Sequence, residues 1–577
     1  MRLSVSKSKN SINFYIIKDY TKNGKRSTKI VKKLGNLETV KKLAGKTDYK
    51  DWLKEIVAQY NEKYNKGETI IIEKNSRKQI LKEKSFTFDI GYLFLNKLYN
   101  SLNIKTICDE IQDKYKFEFD LNEIFSYLIY ARIIYPSSKL KTFNQCQSFI
   151  QKPEFKLHDE YRALSYIAKD IDFIQEKLFN NSLNVLNRNS RVIYYDCTNY
   201  YFEINKEDNL RKYGISKQHQ PKPLIGMGLF MDGDGLPLAF NIYPGNKNEQ
   251  ETLIPTENKI INNFKLKETK LILSTDAGLS SDKIKRFNIK DGRAFVITQS
   301  LKKLKSKYKE DVFNDNGWRI SNDLRNSYNI NKINENEGLR EKYYNTMFYK
   351  IIETETASVK QDLIVTFCFK YLDYQRGIRN KQIERAKKCI ELNEPIRKGK
   401  NQNDHKRFIG SVSSTDEGEI AENKTLFLNQ DVINEEEKYD GYYALTTNLI
   451  GDIKEILKIV KGRWEIEESF RIMKHDFLAR PVELSREDRI KAHFTICFMA
   501  LFIYRLLEKQ LNNEYTTSEI LNCLRKMKVF ELKGDGYQPI YERNDLTDDL
   551  HEILGFRTDY EINTYKYFEK IFNDLKQ

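Results

Sequence analysis

No two of the seven cysteines, at positions 108, 146, 197, 368, 389, 497 and 523, form a CxxC pair. That scatter argues against a zinc site and a disulfide framework and fits a reducing cytoplasm. The six histidines show no HExxH spacing, which removes the common zinc-hydrolase pattern. No Pro-rich or Gly/Ser-rich linker and no internal repeat breaks the chain. The longest apolar run, "FTICFMALFIY" at 494–504, falls well short of the roughly 20 residues that span a bilayer, so it reads as a buried helix and no membrane partner is expected. The basic start "MRLSVSKSKNS" has no apolar stretch behind it, so no secretory signal is expected. "LAGKTD" contains a GKT, but Val40 stands where a P-loop needs its first glycine. "DGDG" lacks the third ligand and the glutamate of a calcium loop.

What the chain does have is positive charge. Lys and Arg total 98 against 82 Asp and Glu, a net of +16 over 577 residues. That balance points to a polyanionic partner, with nucleic acid the leading candidate. The abundant Lys, Asn, Ile and Tyr could also reflect A/T-rich codons, so charge alone does not decide. With 40% hydrophobic and 31% charged residues, the chain can bury sizeable cores.

Residues 12–34 read as a hairpin, "INFYIIKDY" and "RSTKIVKKL" flanking an Asn23-Gly24 turn of type I′. Helical patterning dominates 37–188, including "DLNEIFSYLIYARII" with its Asp cap, although no helix-turn-helix signature is clear. From 191 the pattern changes. "RVIYYD", "LIGMGLFM", "LPLAFNIYPGN", "TKLILSTDAG" and "RAFVITQ" are strand-like, with helices expected at 249–263 and before the last strand. The order β-β-β-α-β-α-β predicts an α/β mixed sheet flanked by helices. Residues 300–438 break this rhythm and read as an insertion with scattered strands and one helix near 376–393. "YDGYYALTTN" then resumes the strand character. The expected organisation is 1–188, a hairpin and helical DNA-binding region; 189–299, the first part of a catalytic core; 300–438, the insertion; 439–484, the second part of the core; and 485–577, a helical C-terminal region.

The stretch "GRWEIEESFRIMKHDF" at 462–477 is the most informative. At about 100° per residue, Arg463, Glu467 and Lys474 fall within about 40° of arc. Ile466, Phe470, Met473 and Phe477 form an apolar face beside them. Glu465 and Glu468 project to the far side, and Trp464 reads as a packing residue or a platform for stacking a base. Alone, an Arg–Glu pair at i, i+4 is an ordinary helix feature worth a few tenths of a kcal/mol.

Asp196 and Asp276 change the weight of that stripe. Each follows an apolar strand run, and open sheets place ligands at the carboxyl ends of strands. Two such aspartates with Glu467 would repel one another unless a cation neutralised them. Mg²⁺ suits hard oxygen ligands, and two such ions would support phosphoryl transfer, with Arg463 and Lys474 holding phosphates.

Taken in order, these segments resemble the DDE transposases of bacterial insertion sequences, in the branch with a Tyr-x2-Arg-x3-Glu-x6-Lys signature. Arg463, Glu467 and Lys474 match its last three positions, whereas Val460 holds the Tyr position. "YYDCTNYYFE" is similar to the first-Asp strand, with Asp196 and Thr198 as D-x-T. "PLIGMGLFMDGDGLPLAFNIYPGNKNEQET", with Gly245, Asn246, Glu249 and Thr252, and "STDAGLSS", with Asp276, resemble the stretches that follow. "ARPVELSREDRIKAHFTICFMALFIYRLLE" is similar to the segment after the signature. The resemblance implies an RNase H-like core interrupted by a mainly β insertion. It also implies catalytic and metal-binding roles for Asp196, Asp276 and Glu467 with two Mg²⁺, or Mn²⁺ in their place. DNA would be the partner, as element ends and target, held by a homodimer. On this expectation Arg463, Lys474, Thr198 and Trp464 contact DNA. Two alternatives stay open: a metal nuclease of the same fold that cuts without joining, and a transposase-derived DNA-binding repressor.

Overall fold

The computed structural model describes residues 1–577 apart from 9–10, 23–24, 46, 64–68, 73–75, 78, 267–268, 357–358, 393–403, 413–424 and 577. The expected Asn23-Gly24 turn lies outside the described residues. The chain forms two compact units, one of residues 1–171 with 472–577 and one of residues 172–471.

The second unit is built on one ten-stranded mixed sheet. Its core strands are β1 (Val192–Tyr201), β2 (Leu224–Asp232) and β3 (Pro237–Pro244), then helix α1 (Glu249–Asn263), β4 (Ile272–Thr275), α2 (Asp282–Phe287) and β5 (Ala294–Thr298). This is the β-β-β-α-β-α-β order expected from the sequence. The core strands lie in the order β3-β2-β1-β4-β5. Strands β1, β2 and β3 are antiparallel neighbours, while β4 runs parallel to both β1 and β5. All nine residues of β2 are buried, as an apolar run in the middle of a covered sheet requires. Helix α1 starts at Asn248, whose side chain accepts from the Gln250 amide and so caps the helix. Its apolar face, with Leu253 and Ile260, packs on Tyr195, Phe230 and Leu273. This strand order and these helices make an RNase H-like α/β fold.

After β5 come β6 (Trp318–Ile320), β7 (Asp323–Tyr328), β8 (Phe348–Thr356), β9 (Val359–Phe367), the long helix α3 (Phe369–Glu391) and β10 (Tyr442–Thr447). These strands extend the core sheet. β10 pairs antiparallel with β5, through Val296↔Thr447, and also with β9, through Asp362↔Thr447. β8, β6 and β7 continue outward. Helix α3 covers 376–391 of the helix expected near 376–393 and starts seven residues earlier; residue 393 lies outside the described residues. Short helices at Ser306–Phe313, Ile330–Glu335, Glu337–Lys342 and Gln430–Glu437 accompany it, too brief to stand out in a charged stretch. Helices α4 (Ile453–Gly462) and α5 (Trp464–Arg471) follow β10.

In the first unit, strands Arg2–Ser8, Ser11–Lys22 and Lys25–Asn36 form an antiparallel sheet covered by the helices Leu37–Ala44 and Tyr49–Lys63. The helix Glu487–Gln510 packs on Leu157–Lys169, Leu121–Ile134 and Tyr92–Ser101, which joins the C-terminal segment to the N-terminal one. Among the described residues it is the one helix long and apolar enough to cross a membrane, and its apolar stretch is buried inside this unit.

Candidate active site

Asp196 lies in the middle of β1, not at its end as the sequence suggested. The reason is the mixed pairing of that strand. β1 stays paired with β2 as far as Tyr201, but its parallel pairing with β4 stops at Tyr194↔Ser274. Continued by two residues, that register sets Asp196 level with Asp276, the residue that follows β4. On the other side of β4, Ile297 pairs with Thr275, so Thr298 comes level as well. The two aspartates therefore sit side by side at the carboxyl edge of the parallel strands.

Each carboxylate is anchored by backbone. Asp196 Oδ1 accepts from the Cys197 amide at 2.7 Å. Asp276 Oδ1 accepts from Gly278 and Leu279 amides at 3.0 and 3.2 Å, capping a short 3-10 turn. Burial pushes the Asp196 carboxyl up to about 6. The Lys217 ammonium and the Cys197 amide pull it down, the Asp276 charge pushes it up, and Arg463 pulls it down. Thr198, two residues along β1 and on the same strand face, is buried.

Lys217 was not singled out from the sequence. It lies in the β1–β2 connection, where no periodicity marks it. Asn199 fixes that connection, donating to the Ile215 carbonyl at 2.9 Å and accepting from the Lys217 amide at 3.3 Å. Lys217 Nζ then donates to the Cys197 carbonyl at 2.5 Å and pairs with Glu249 at 3.2 Å. Burial acts against its charge, but the Glu249 and Asp196 carboxylates outweigh this and hold the ammonium above its usual range.

Arg463 reaches the same edge from α4–α5. Gly462 allows this approach, because a Cβ there would lie 2.2 Å from the Tyr194 hydroxyl of β1. Arg463 Nη1 donates to Thr298 Oγ1 at 2.8 Å, and Thr298 also bonds the Tyr443 hydroxyl at 2.8 Å. Arg463 Nε is buried without a hydrogen-bond partner among the described residues. Val460, where the signature has Tyr, lines an apolar cleft of ≈530 Å³ with Tyr371, Tyr374 and Tyr443.

Glu467 pairs with Arg463 at 3.8 Å. Its side chain is 66% exposed. Ile466 and Phe470, within α5, are buried as the helical phase predicts, and Met473 and Phe477, in and after the turn that ends it, are buried as well. The two flanking glutamates are not simply in solvent on a far side. Glu465 abuts Gly235 in the β2–β3 turn, and Glu468 pairs with Arg471 at 2.6 Å. Trp464 is 58% exposed, which removes the packing reading for its ring. Lys474 falls in a π-helical turn, Ile472–Asp476, closed by the Phe477 amide donating to the Ile472 carbonyl at 2.9 Å. An α-helical step of about 100° per residue does not hold through such a turn, so the projected phase of Lys474 fails.

The donor chemistry fits a hard divalent cation at Asp196 and Asp276: all-oxygen, like-charged, and costly to ionise at Asp196 without a compensating charge. Among the described residues, Asp548, His551 and Asp559 are the group with three potential ligand atoms within 4.8 Å of one another, so Asp196, Asp276 and Glu467 are not drawn that close. The Asp548 cluster is already neutralised. Arg557 pairs with both aspartates at 2.7 and 2.6 Å, and Arg543 does so at 2.8 and 3.4 Å. The "DGDG" aspartate Asp232 is likewise structural, buried against Arg188 at 2.7 Å.

A sequence profile of the transposase DDE domain matches residues 202–503, just over half of the chain. The chain belongs to the DDE transposase domain family. The match in this family member spans Asp276, Arg463, Trp464, Glu467 and Lys474 and begins after Asp196 and Thr198. No curated protein matches the chain. Among solved structures, a cryo-EM structure of the piggyBac transposase synaptic complex with hairpin DNA is similar at 8% identity and a TM-score of 0.36, covering 84% of this chain and 85% of that one. A likeness that slight decides nothing further about this transposase-family chain.

Proposed function

We propose that the chain is a DNA transposase of the bacterial insertion-sequence type, in the branch with the Tyr-Arg-Glu-Lys signature. It cuts DNA at the ends of its element and joins the freed 3′-OH to target DNA, acting as a homodimer on two ends. The observation that carries this reading is the pairing of Asp196 with Asp276 at one sheet edge, with Arg463 beside them. Asp196, Asp276 and Glu467 are assigned as ligands for two Mg²⁺, for which Mn²⁺ can substitute. Bound metal supplies Lewis-acid activation and charge neutralisation at a phosphodiester.

The protein's own groups do the rest. Lys217 and Arg463 offset the carboxylates, which lowers the cost of holding two like charges together. Arg463, with a buried donor to spare, receives a phosphate oxygen. Lys474 is assigned a DNA contact of its own, Thr198 lies on the Asp196 face, and the exposed Trp464 ring is available to stack on a base. The basic balance of +16 suits the DNA backbone.

The test is a strand-transfer assay with Mg²⁺, using duplexes that carry the DNA flanking the reading frame. Joined products support a transposase. Cleavage without joining would assign a nuclease on the same fold, and binding without cleavage would assign a repressor.

A further inference from the structure

Helix α3 carries a face that the second unit leaves uncovered. Its inner side holds the buried Leu372, Arg379 and Ala386, and Arg379 there pairs with Asp440 at 2.6 Å and with Glu437 at 3.2 Å. Along another side Tyr371, Tyr374 and Ile378 are exposed, Tyr374 to 63%. Lys381, Arg385 and Lys388 follow them, also exposed, and no acidic group among the described residues pairs with these three. The six positions advance by alternating steps of three and four residues, so they form one stripe. That is the spacing at which one helix meets another. Leu392, 71% exposed at the end of α3, continues the stripe by a further four. The large apolar side chains that α3 and its C-cap expose all fall on it.

The stripe matches itself when reversed. Its first half is aromatic and aliphatic, and its second half is cationic. A two-fold axis between Ile378 and Lys381 sets Tyr371 against Lys388 of the partner subunit and Tyr374 against Arg385 of the partner subunit. Each pairing is made twice by symmetry, and each places a cation over a tyrosine ring, which attracts it. Ile378 meets the stem of Lys381 of the partner subunit, and such stems cover apolar surface while the charge stays in water. The flanking charges agree, because exposed Lys370 comes opposite Glu391 of the partner subunit. Gly377 lies beside the axis, and a Cβ there would meet nothing of its own chain within 4 Å. A glycine inside a helix costs stability, and here its own fold makes no use of the space, which a second backbone could enter.

A two-fold interface requires this kind of self-complementarity. A phosphate backbone would satisfy the cations but not the exposed Tyr374, Ile378 and Leu392, and Glu384 and Glu391 among the cations would repel it. We infer that this face of α3 is an interface between two copies of this chain, packed antiparallel about an axis between Ile378 and Lys381. The inference rests on the proposed function only for the number of copies, and the contact itself needs no DNA.

The test is sedimentation of the full chain without DNA from micromolar to tens of micromolar. The variants are Tyr374→Arg, Arg385→Glu and the double change Y374R/R385E, with thermal melts to establish that each is folded. The wild type is expected to dimerise, and each single change to weaken the dimer about tenfold or more, since each acts at two symmetric places. The double change restores opposite charges across the axis and should recover most of the affinity. A wild type that stays monomeric, single variants within twofold of it, or a double variant no better than the singles each overturns the inference. Variants that dimerise normally but lose DNA would assign the face to DNA, and overturn it as well. If the wild type dimerises through this face but joins no DNA in Mg²⁺, the interface stands and the transposase reading falls. If DNA is joined while the single variants dimerise unchanged, the reading stands and the interface is wrong.

Discussion

Asp196 and Asp276 stand level on adjacent parallel strands, because the Tyr194↔Ser274 register carries both past the end of the ladder to the same edge. Two carboxylates so placed repel, and the Asp276 charge contributes to raising the Asp196 carboxyl to about 6, after burial. Lys217 and Arg463 on either side offset part of this. The arrangement is costly for stability and suited to binding a cation.

Gly462 is expected to be intolerant of a side chain. An alanine Cβ would sit 2.2 Å from the Tyr194 hydroxyl and 2.8 Å from the ring carbon that bears it. Gly462→Ala should cost about 1–3 kcal/mol of stability, as overpacking does. It should also lower cleavage by shifting Arg463. The check is a denaturant titration of Gly462→Ala with and without Tyr194→Phe. Partial recovery in the double variant is the expected result, and additive losses would mean that the contact is not the cause.

The three glutamates of the signature helix should behave differently. Glu467→Gln should cost orders of magnitude in cleavage rate if it is a metal ligand. Glu465→Gln and Glu468→Gln should change stability by no more than about 0.5 kcal/mol and leave the rate near wild type. Single-turnover cleavage of all three variants decides this. Equal effects would return the Arg463–Glu467 contact to an ordinary surface pair.

Arg463 should be distinguishable from the metal ligands. Arg463→Ala removes the bond to Thr298 and the unpaired buried Nε donor. It is expected to weaken DNA positioning and reduce cleavage while metal affinity, read by calorimetry, survives. Loss of metal binding in this variant would place Arg463 in a different role.

Glu257 gives a pH prediction outside the site. It is buried on α1, and burial raises its carboxyl to about 7, with the Asn288 amide and Arg293 pulling the other way. The folded chain therefore holds this proton more tightly than the unfolded chain. The resulting stability is present in acid and lost as the pH rises through about 7. Glu257→Gln should be the more stable form at pH 8, by on the order of 1–3 kcal/mol, and close to wild type at pH 5. Melting curves across that range check the sign, and a wild type that gains on the variant with rising pH would refute it.

Much of the second unit was legible because its signals are local. Apolar strand runs, the 249–263 helix and the spacing of Ile466 and Phe470 sit within single elements. What escaped depends on distant partners. Nothing near Asp196 shows that β2 pairs past it while β4 stops. Nothing in "GISKQ" shows that Lys217 will be carried to Asp196 by Asn199. The strands from β6 to β9 join the core sheet only through β10, a pairing across the chain. The π turn at Ile472–Asp476 depends on how the helix ends, which a fixed angular step cannot register.

Binding to DNA should weaken steeply between low and physiological salt, as release of counterions from phosphates requires. Filter-binding or anisotropy titrations at several salt concentrations measure the slope. A flat slope would mean that the +16 charge reflects composition and not a DNA surface.

The most direct test of the carboxylate site is Asp196→Asn in the strand-transfer assay with Mg²⁺, run beside a DNA-binding titration. The substitution keeps the shape and removes one charge of the pair. Cleavage and joining should be abolished while DNA affinity stays close to wild type. Cleavage near the wild-type rate would contradict a metal-dependent site at Asp196 and Asp276.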